Sequence, residues 1–258
     1  MSGPVAPSLS ASRDSSRDSS RNSSRKRESL AGAFHDEAPP RANLRRLGLD
    51  GSWHGAAAEQ IELISRGDIV NGILARGAKG REQDGHTRTA LLVVAHDAGS
   101  SASASDLLPV ASWVAAGLSV VVIDLPLHGQ RASAKLSERF VASIAKLDRG
   151  EALDQNSAVL VEEFFRQATI DLVRTLDAVV ALGDFDSKRI GFLGLGLGAR
   201  LGTTLLAHDD RPCAAVLARA ASVAAPPAVD PDSTLALEMG SGAWPADARA
   251  FLASRLGF

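Results

Sequence analysis

The chain has 258 residues, of which 45% are hydrophobic and 22% charged, as in an ordinary soluble globular protein with one sizeable core. Its formal net charge of −2 gives no whole-chain attraction to nucleic acid or to an anionic membrane. Cys213 is the only cysteine, which excludes an intrachain disulfide, and no apolar run reaches the roughly 18 residues that span a bilayer, so we expect a cytoplasmic protein without a membrane partner.

Residues 1–50 are predicted to be a disordered tail rich in arginine and serine. A four-residue repeat begins at Arg13 and ends in the basic run Arg25-Lys26-Arg27, with almost no apolar side chain to offset the entropy lost on folding. This composition is typical of a solvated tail, and the alternative is a phosphorylation or nucleic-acid role. Because no aromatic residue for base stacking accompanies the basic residues of the repeat, we expect no nucleic-acid partner.

Residues 51–258 are predicted to form one domain that opens with an antiparallel hairpin. Apolar residues at 61–64 and 69–74 predict its two strands, joined by a turn at 66–68. Residues 77–86 are polar and predict a loop, and the apolar run at 90–95 predicts a buried central strand. The other predicted elements are a helix at 105–116 ended by Gly117, a strand at 118–123, a helix at 158–182, a strand at 190–193, a helix to 207, strands at 213–217 and 234–239, and a helix at 246–256.

This alternation of strands and helices predicts the fold class, a doubly wound and mostly parallel α/β sheet with the hairpin as its antiparallel edge. In such sheets the functional site lies beyond the carboxyl ends of the central strands. Three loops, at 96–100, 124–131 and 194–198, are therefore the candidates to carry any chemistry.

The three loops resemble those of the α/β-hydrolases. His96-Asp97-Ala98-Gly99-Ser100 is similar to the His-Gly-type oxyanion loop, residues 124–129 to the Asp-x-Pro-x-x-Gly loop, and Gly194-Leu195-Gly196-Leu197-Gly198 to the nucleophile elbow. Segments at 165–171 and 186–190 add to the resemblance, which covers residues 61–217 and is closest to esterases and dienelactone-hydrolase-like proteins. It implies an α/β-hydrolase fold and, for any activity, cleavage of an ester.

The centre of the elbow departs from this family. In the G-x-S-x-G turn the middle residue presents the nucleophilic hydroxyl, but the residue here is Gly196. Glycine accepts a positive φ without steric cost, so the turn survives while the nucleophile is lost. We therefore predict a degenerate, non-catalytic homologue of ester hydrolases that uses no cofactor and binds a small ligand or a protein partner.

The rest of a catalytic triad is missing as well. The family order is nucleophile, acid and then histidine, but no histidine follows residue 208: the six are His35, His54, His86, His96, His128 and His208. Asp230 and Asp232 have no later histidine to orient. Residues 240–244 stand where an acid or histidine loop is expected and contain neither, so we expect a hydrolase fold truncated at its C-terminus.

A binding pocket is the feature that we expect to persist. The backbone N–H groups of Ala98 and Leu197 are predicted to form an anion-binding nest like an oxyanion hole, or else to cap a helix and close a turn. His96, Asp97 and His128 are candidates to line the pocket, although a loop histidine often bonds backbone instead. Neither histidine has a second ligand at metal spacing, so no metal site is predicted.

Two alternatives stay open at this point. Gly194, Gly196 and Ala199 match G-x-G-x-x-A between a strand and a helix, and Arg219 stands where an NADP-preferring residue is found, but only residues 220–258 follow. The second alternative is an active esterase with an unrecognised nucleophile, whose candidates are Asp97, Ser100, Ser101 and Cys213.

Overall fold

The computed structural model describes residues 44–48, 52–78, 80–83, 86–219, 232–241 and 244–258. Most of the predicted tail, together with His35, Asp230 and part of the 240–244 segment, lies outside these residues. The strands are β1 Arg45–Leu47, β2 Ala58–Ser65, β3 Asp68–Ala75, β4 Arg81–Gln83, β5 His86–Ala95, β6 Ser119–Ile123, β7 Phe185–Leu195, β8 Pro212–Arg219 and β9 Thr234–Glu238. The α-helices are α1 Leu108–Val114, α2 Ala134–Asp148, α3 Gln155–Val180, α4 Leu197–Leu206 and α5 Trp244–Leu256.

One sheet organises the described residues. Its order is β1-β2-β3-β6-β5-β7-β8-β9, and β4 pairs with β5 beside this path. β6, β5, β7, β8 and β9 run parallel, whereas β1, β2 and β3 form an antiparallel edge in which β3 pairs with β6. The predicted doubly wound, mostly parallel sheet with an antiparallel hairpin at one edge is confirmed.

Helices cover both faces of the sheet, which explains the continuous apolar runs of the central strands. In β5, Leu91 and Val93 belong to one core cluster, which α2, α3 and α4 cover. The alternate residues Leu92 and Val94 belong to a second cluster, which α1 and α5 cover. Because neither face of this strand meets water, alternation of polar and apolar residues is not needed.

Three local predictions were wrong or incomplete. β1 lies inside the segment predicted to be disordered, where Arg46 pairs with Glu59 of β2 at 2.6 Å. β4 lies in the predicted polar loop, because backbone pairing with β5 forms a hairpin without an apolar pattern. α2 had no predicted counterpart, although its Phe140 and Ile144 are buried four residues apart. No helix among the described residues is long and apolar enough to cross a membrane.

Candidate functional site

Gly196 forms the sharp turn between β7 and α4, at the carboxyl edge of the sheet. Its φ is 52° and its ψ is −107°, a backbone conformation that favours glycine. A Cβ atom built on Gly196 would lie 1.9 to 2.2 Å from the carboxylate of Asp97. The space that a side chain would need at this position is therefore already filled.

Asp97 follows β5 directly and reaches across to this turn. Its Oδ1 atom accepts hydrogen bonds from the backbone nitrogens of Ala98 and Leu197, each at 2.7 Å. Burial raises the pKa of Asp97, while the two N–H donors oppose the shift. Leu197 is the first residue of α4, so the positive end of the helix dipole also faces the carboxylate. The two predicted nest groups thus converge on an acid of the same chain.

His96 is completely buried between the loops that follow β5 and β6. Its Nε2 accepts a hydrogen bond from the Leu125 backbone nitrogen at 3.2 Å, so the ring proton is on Nδ1, which donates to the Asp97 carbonyl oxygen at 2.9 Å. Burial lowers the pKa of His96 to about 4. Through these two hydrogen bonds the neutral ring links the loop after β5 to the loop after β6.

His128 is buried beside His96, with ring centroids 5.2 Å apart. Its Nδ1 donates to the Pro126 carbonyl oxygen at 2.8 Å, and its ring packs edge-on against Phe140 and Phe164. Burial lowers the pKa of His128. Like His96, it lies in the packed interior and bonds loop backbone.

Asp124 shapes the loop that follows β6. Its two carboxylate oxygens accept hydrogen bonds from the backbone nitrogens of Ala102 and Gln130, each at 2.8 Å. Gly129, with a φ of 53°, leaves room for this carboxylate, since a Cβ there would lie 2.1 to 2.3 Å from it. The Asp-x-Pro-x-x-Gly pattern is thus explained by loop closure.

A buried ion pair joins this loop to α3. Arg131 Nη1 lies 2.8 Å from Asp171 Oδ2, and the two side chains are 8% and 1% exposed. The same guanidinium donates to the Asp124 carbonyl oxygen at 3.0 Å. Burial raises the pKa of Asp171, and the positive charge of Arg131 opposes the shift. In the sequence, Asp171 is only the end of a segment that resembles the family, and nothing there identifies its partner.

A cleft of about 620 Å³ lies beside this pair, between the start of β3, the loop after β6 and α3. We call it the β3–α3 cleft, and its lining consists of Glu62, Asp68, Ile69, Asn71, Pro126, Leu127, Gln130, Arg131, Leu160, Glu163, Phe164 and Gln167. None of the three predicted pocket residues, His96, Asp97 and His128, is part of this lining. The sequence signal for this cleft was weak, because its residues come from four separate segments.

Among the described residues, no hydrogen bond joins the other candidate nucleophiles to a histidine. Ser100 Oγ donates to both carboxylate oxygens of Asp106 at 2.9 and 3.0 Å. Ser101 Oγ lies 3.5 Å from Ser103 Oγ. Cys213 is an exposed residue near the start of β8, at the opposite edge from Gly196, and partial desolvation of its thiol raises the pKa.

The glycines of the possible dinucleotide fingerprint are explained by close packing. A Cβ at Gly194 would lie 2.3 Å from the Gly198 carbonyl oxygen, and one at Gly198 would lie 2.0 Å from the Ala95 carbonyl oxygen. Ala199 is buried in α4, and Arg219 ends β8 opposite Glu238 of β9. Among the described residues no group of three or more His, Cys, Asp or Glu side chains is placed to hold a metal.

Comparison with known proteins identifies the fold. No protein-family model and no curated protein sequence matches the chain. Many solved structures superpose on it, among them three that are acetyl xylan esterases or are assigned as such. The acetyl xylan esterase from Paenibacillus sp. R4 is 18% identical, with 74% of this chain and 57% of that chain covered and a TM-score of 0.51. Acetyl xylan esterase 1 from Thermoanaerobacterium sp. JW/SL YS485 is 16% identical, with 75% and 57% covered and a TM-score of 0.50.

The third structure is a protein assigned as an acetyl xylan esterase from Bacteroides fragilis NCTC 9343. It is 15% identical, with 80% of this chain and 55% of that chain covered and a TM-score of 0.51. The chain therefore has the α/β-hydrolase fold that its loops resemble. It spans 55 to 57% of the length of these three structures.

Proposed function

We propose that this protein is a non-catalytic member of the α/β-hydrolase fold, which binds a small ligand or a protein partner and does not hydrolyse esters. The observation that carries the proposal is the position of the Asp97 carboxylate on the backbone N–H groups of Ala98 and Leu197. In an esterase, donors at these two positions stabilise the oxyanion of the tetrahedral intermediate. A substrate carbonyl would have to displace the carboxylate of Asp97 before it reached them.

The loss of the nucleophile and the position of Asp97 belong together. Gly196 has no side chain to attack a carbonyl, and the atoms of Asp97 occupy the volume where a serine Cβ would stand. A single substitution at either position therefore does not restore an esterase site. A hydrolytic site would need both positions to change and a histidine base to be supplied.

His96 and His128, the two histidines of these loops, form hydrogen bonds with loop backbone. Both ring nitrogens of His96 are hydrogen-bonded to backbone, and His128 donates to the Pro126 carbonyl. Burial disfavours the charged form of both rings by lowering the pKa of each, to about 4 for His96. Nε2 of His128 is buried without a hydrogen bond, and no hydrogen bond among the described residues links either ring to the turn at residue 196.

The same carboxylate disfavours the dinucleotide alternative. A pyrophosphate binds at the helix N-terminus that follows a glycine-rich turn, and here Asp97 already binds the first N–H group of α4. Two anions at one helix end repel each other. We expect that NADPH at 1 mM, roughly a saturating concentration for a cofactor, leaves the melting temperature unchanged.

The proposal is tested with a fluorophosphonate probe, which forms a covalent adduct with an activated serine. We expect no stoichiometric adduct on the purified full chain and no hydrolysis of p-nitrophenyl acetate above the rate of the buffer. An active serine esterase labelled in the same experiment is the positive control. An adduct that mass spectrometry places on one residue, and that an alanine substitution at that residue removes, would overturn the proposal.

A further inference from the structure

We propose that the β3–α3 cleft binds a small organic cation, a primary ammonium group attached to an apolar body, and that Glu62 and Asn71 hold the ammonium. This inference rests on the proposed ligand-binding function and adds to it a site and a ligand class. The site is separate from the turn at Gly196, because neither Gly196 nor Asp97 lines the cleft.

Asn71 is the first reason to place a ligand here. The residue is only 9% exposed and lines the cleft. Its carbonyl oxygen accepts from the Asp124 backbone nitrogen at 2.8 Å, but its side-chain amide has no hydrogen bond with any described residue. The amide therefore opens into the cleft without a partner from the chain, and its oxygen and its N–H groups are available to a ligand.

Glu62 supplies a negative charge next to this amide. Glu62 and Asn71 are register partners across β2 and β3, so their side chains project from the same face of the sheet. The nearest cation, Arg45, is 74% exposed and lies 3.6 Å from the Glu62 carboxylate, beyond a normal hydrogen bond. An ammonium group has three N–H donors and no acceptor, which suits a carboxylate beside an amide oxygen.

The apolar part of the ligand is inferred from the next cross-strand pair on the same face. Ile64 and Ile69 are register partners, two residues along each strand from Glu62 and Asn71, and they are 49% and 57% exposed. Ile69 is part of the cleft lining, and Ile64 is its cross-strand neighbour outside that lining. On the other side of the cleft, Leu160 and Phe164 of α3 add apolar surface. A body of hydrocarbon attached to the ammonium would cover side chains that the fold leaves exposed to water.

The carboxylates of the cleft differ in how closely they are paired. Three carboxylates line it, those of Glu62, Asp68 and Glu163, against one basic side chain, Arg131. The charge of Arg131 is compensated by Asp171 at 2.8 Å. Glu163 accepts a hydrogen bond from Arg166 at 2.8 Å and Asp68 accepts one from Gln167 at 2.6 Å, whereas Glu62 has only the exposed Arg45 at 3.6 Å. Glu62 is therefore the carboxylate left for an ammonium group, and its charge disfavours a carboxylate ligand beside it.

The test compares three probes of nearly equal size on the full chain: 2-phenylethylamine, which is a cation at pH 7, neutral 2-phenylethanol, and anionic 3-phenylpropanoate. Dissociation constants are measured by ligand-observed NMR titration. We expect the amine to bind at least about fivefold more tightly than the alcohol, a ratio that corresponds to one partly exposed charge pair, and the carboxylate to bind more weakly than both. Added salt should reduce this preference.

Two variants assign the binding to these residues. Glu62→Gln keeps the size of the side chain but removes its charge, and it should abolish the preference for the amine. Asn71→Leu should also lose amine binding, and its melting temperature shows that the variant measured is folded. Glu138→Gln, a matched change at an exposed glutamate of α2, should leave binding unchanged.

Each outcome separates this inference from the proposed function. Equal binding of the three probes, or amine binding that survives Glu62→Gln and Asn71→Leu, would overturn the ammonium site. Absence of probe labelling by fluorophosphonate would leave the non-catalytic proposal standing in either case, and labelling would overturn that proposal independently of the amine titration.

Discussion

The Oδ1 atom of Asp97 lies 2.7 Å from the backbone nitrogen of Leu197, a residue one hundred positions further along the chain. This bond joins the loop after β5 to the first turn of α4 across the carboxyl edge of the sheet. The carboxylate accepts the first N–H group of α4, whereas an esterase would keep this donor free for the oxyanion of the tetrahedral intermediate. Its energetic consequences can be measured.

Replacement of Asp97 by alanine is expected to destabilise the fold and to create an anion site. The N–H groups of Ala98 and Leu197 lose their common acceptor, so we expect a loss of about 1–3 kcal/mol in the free energy of unfolding, measured with urea. Acetate should then raise the melting temperature of Asp97→Ala but not that of the parent chain, with sodium chloride at equal ionic strength as control. An equal response of both chains to acetate would contradict the assignment.

Gly196→Ser is expected to be costly alone and tolerated better when Asp97 is shortened. The new Cβ would lie about 2 Å from the Asp97 carboxylate, as the built Cβ does at 1.9 to 2.2 Å, so one side chain must move. We expect the single variant to lose more than about 2 kcal/mol, and the double variant Asp97→Ala/Gly196→Ser to lose less than the sum of the two single losses. Additive losses in urea unfolding would show that the two positions do not compete for space.

Arg189 is expected to fasten the C-terminal helix to the sheet. Its guanidinium donates to the carbonyl oxygens of Leu256 at 3.0 Å and Arg88 at 3.1 Å, and it pairs with Asp186 at 2.8 Å. Arg189→Met keeps the apolar stem but leaves these groups unpaired, so we expect a loss of about 2–4 kcal/mol and faster amide hydrogen exchange in α5. Arg149→Met, which removes an exposed pair with Glu151, is the matched control and should have little effect.

Stability should fall with acid because of His96. The pKa of this histidine is about 4 in the folded state against 6.5 for the unpaired side chain, so below pH 6.5 the unfolded chain binds a proton that the folded chain does not. The contribution of neutral His96 to the free energy of unfolding is fully present above pH 6.5, and about 3 kcal/mol of it is lost as the pH approaches 4. Asp97 and Asp171 act in the opposite direction, since burial raises the pKa of each.

The contribution of His96 is isolated by comparison with His96→Asn, which has no titrating ring. Urea unfolding of both chains between pH 7.5 and 4.5 should give a steeper decrease for the parent chain. The histidine resonances in NMR should show that the ring of His96 remains neutral at pH 5. Parallel pH profiles for the two chains would contradict the low pKa.

The sequence determined the elements whose signal is local. The apolar run at 90–95 and the glycines at 194, 196 and 198 sufficed to predict a buried strand followed by a tight turn, because strand burial and positive φ depend on residue type at the position itself. The turn at Arg66-Gly67 likewise fixed the pairing of β2 with β3. From these elements the mostly parallel sheet and the glycine at the centre of the turn followed directly.

Only the tertiary structure decided what fills the site and where a ligand could bind. Nothing in the sequence around Asp97 shows that its carboxylate binds the N–H group of Leu197, because that contact exists only once β5 and β7 lie side by side in the sheet. The pairing of Arg131 with Asp171 and the unpartnered amide of Asn71 are non-local in the same way. Local sequence specifies backbone conformation, whereas partners for buried polar groups are chosen by the packing of segments distant in the chain.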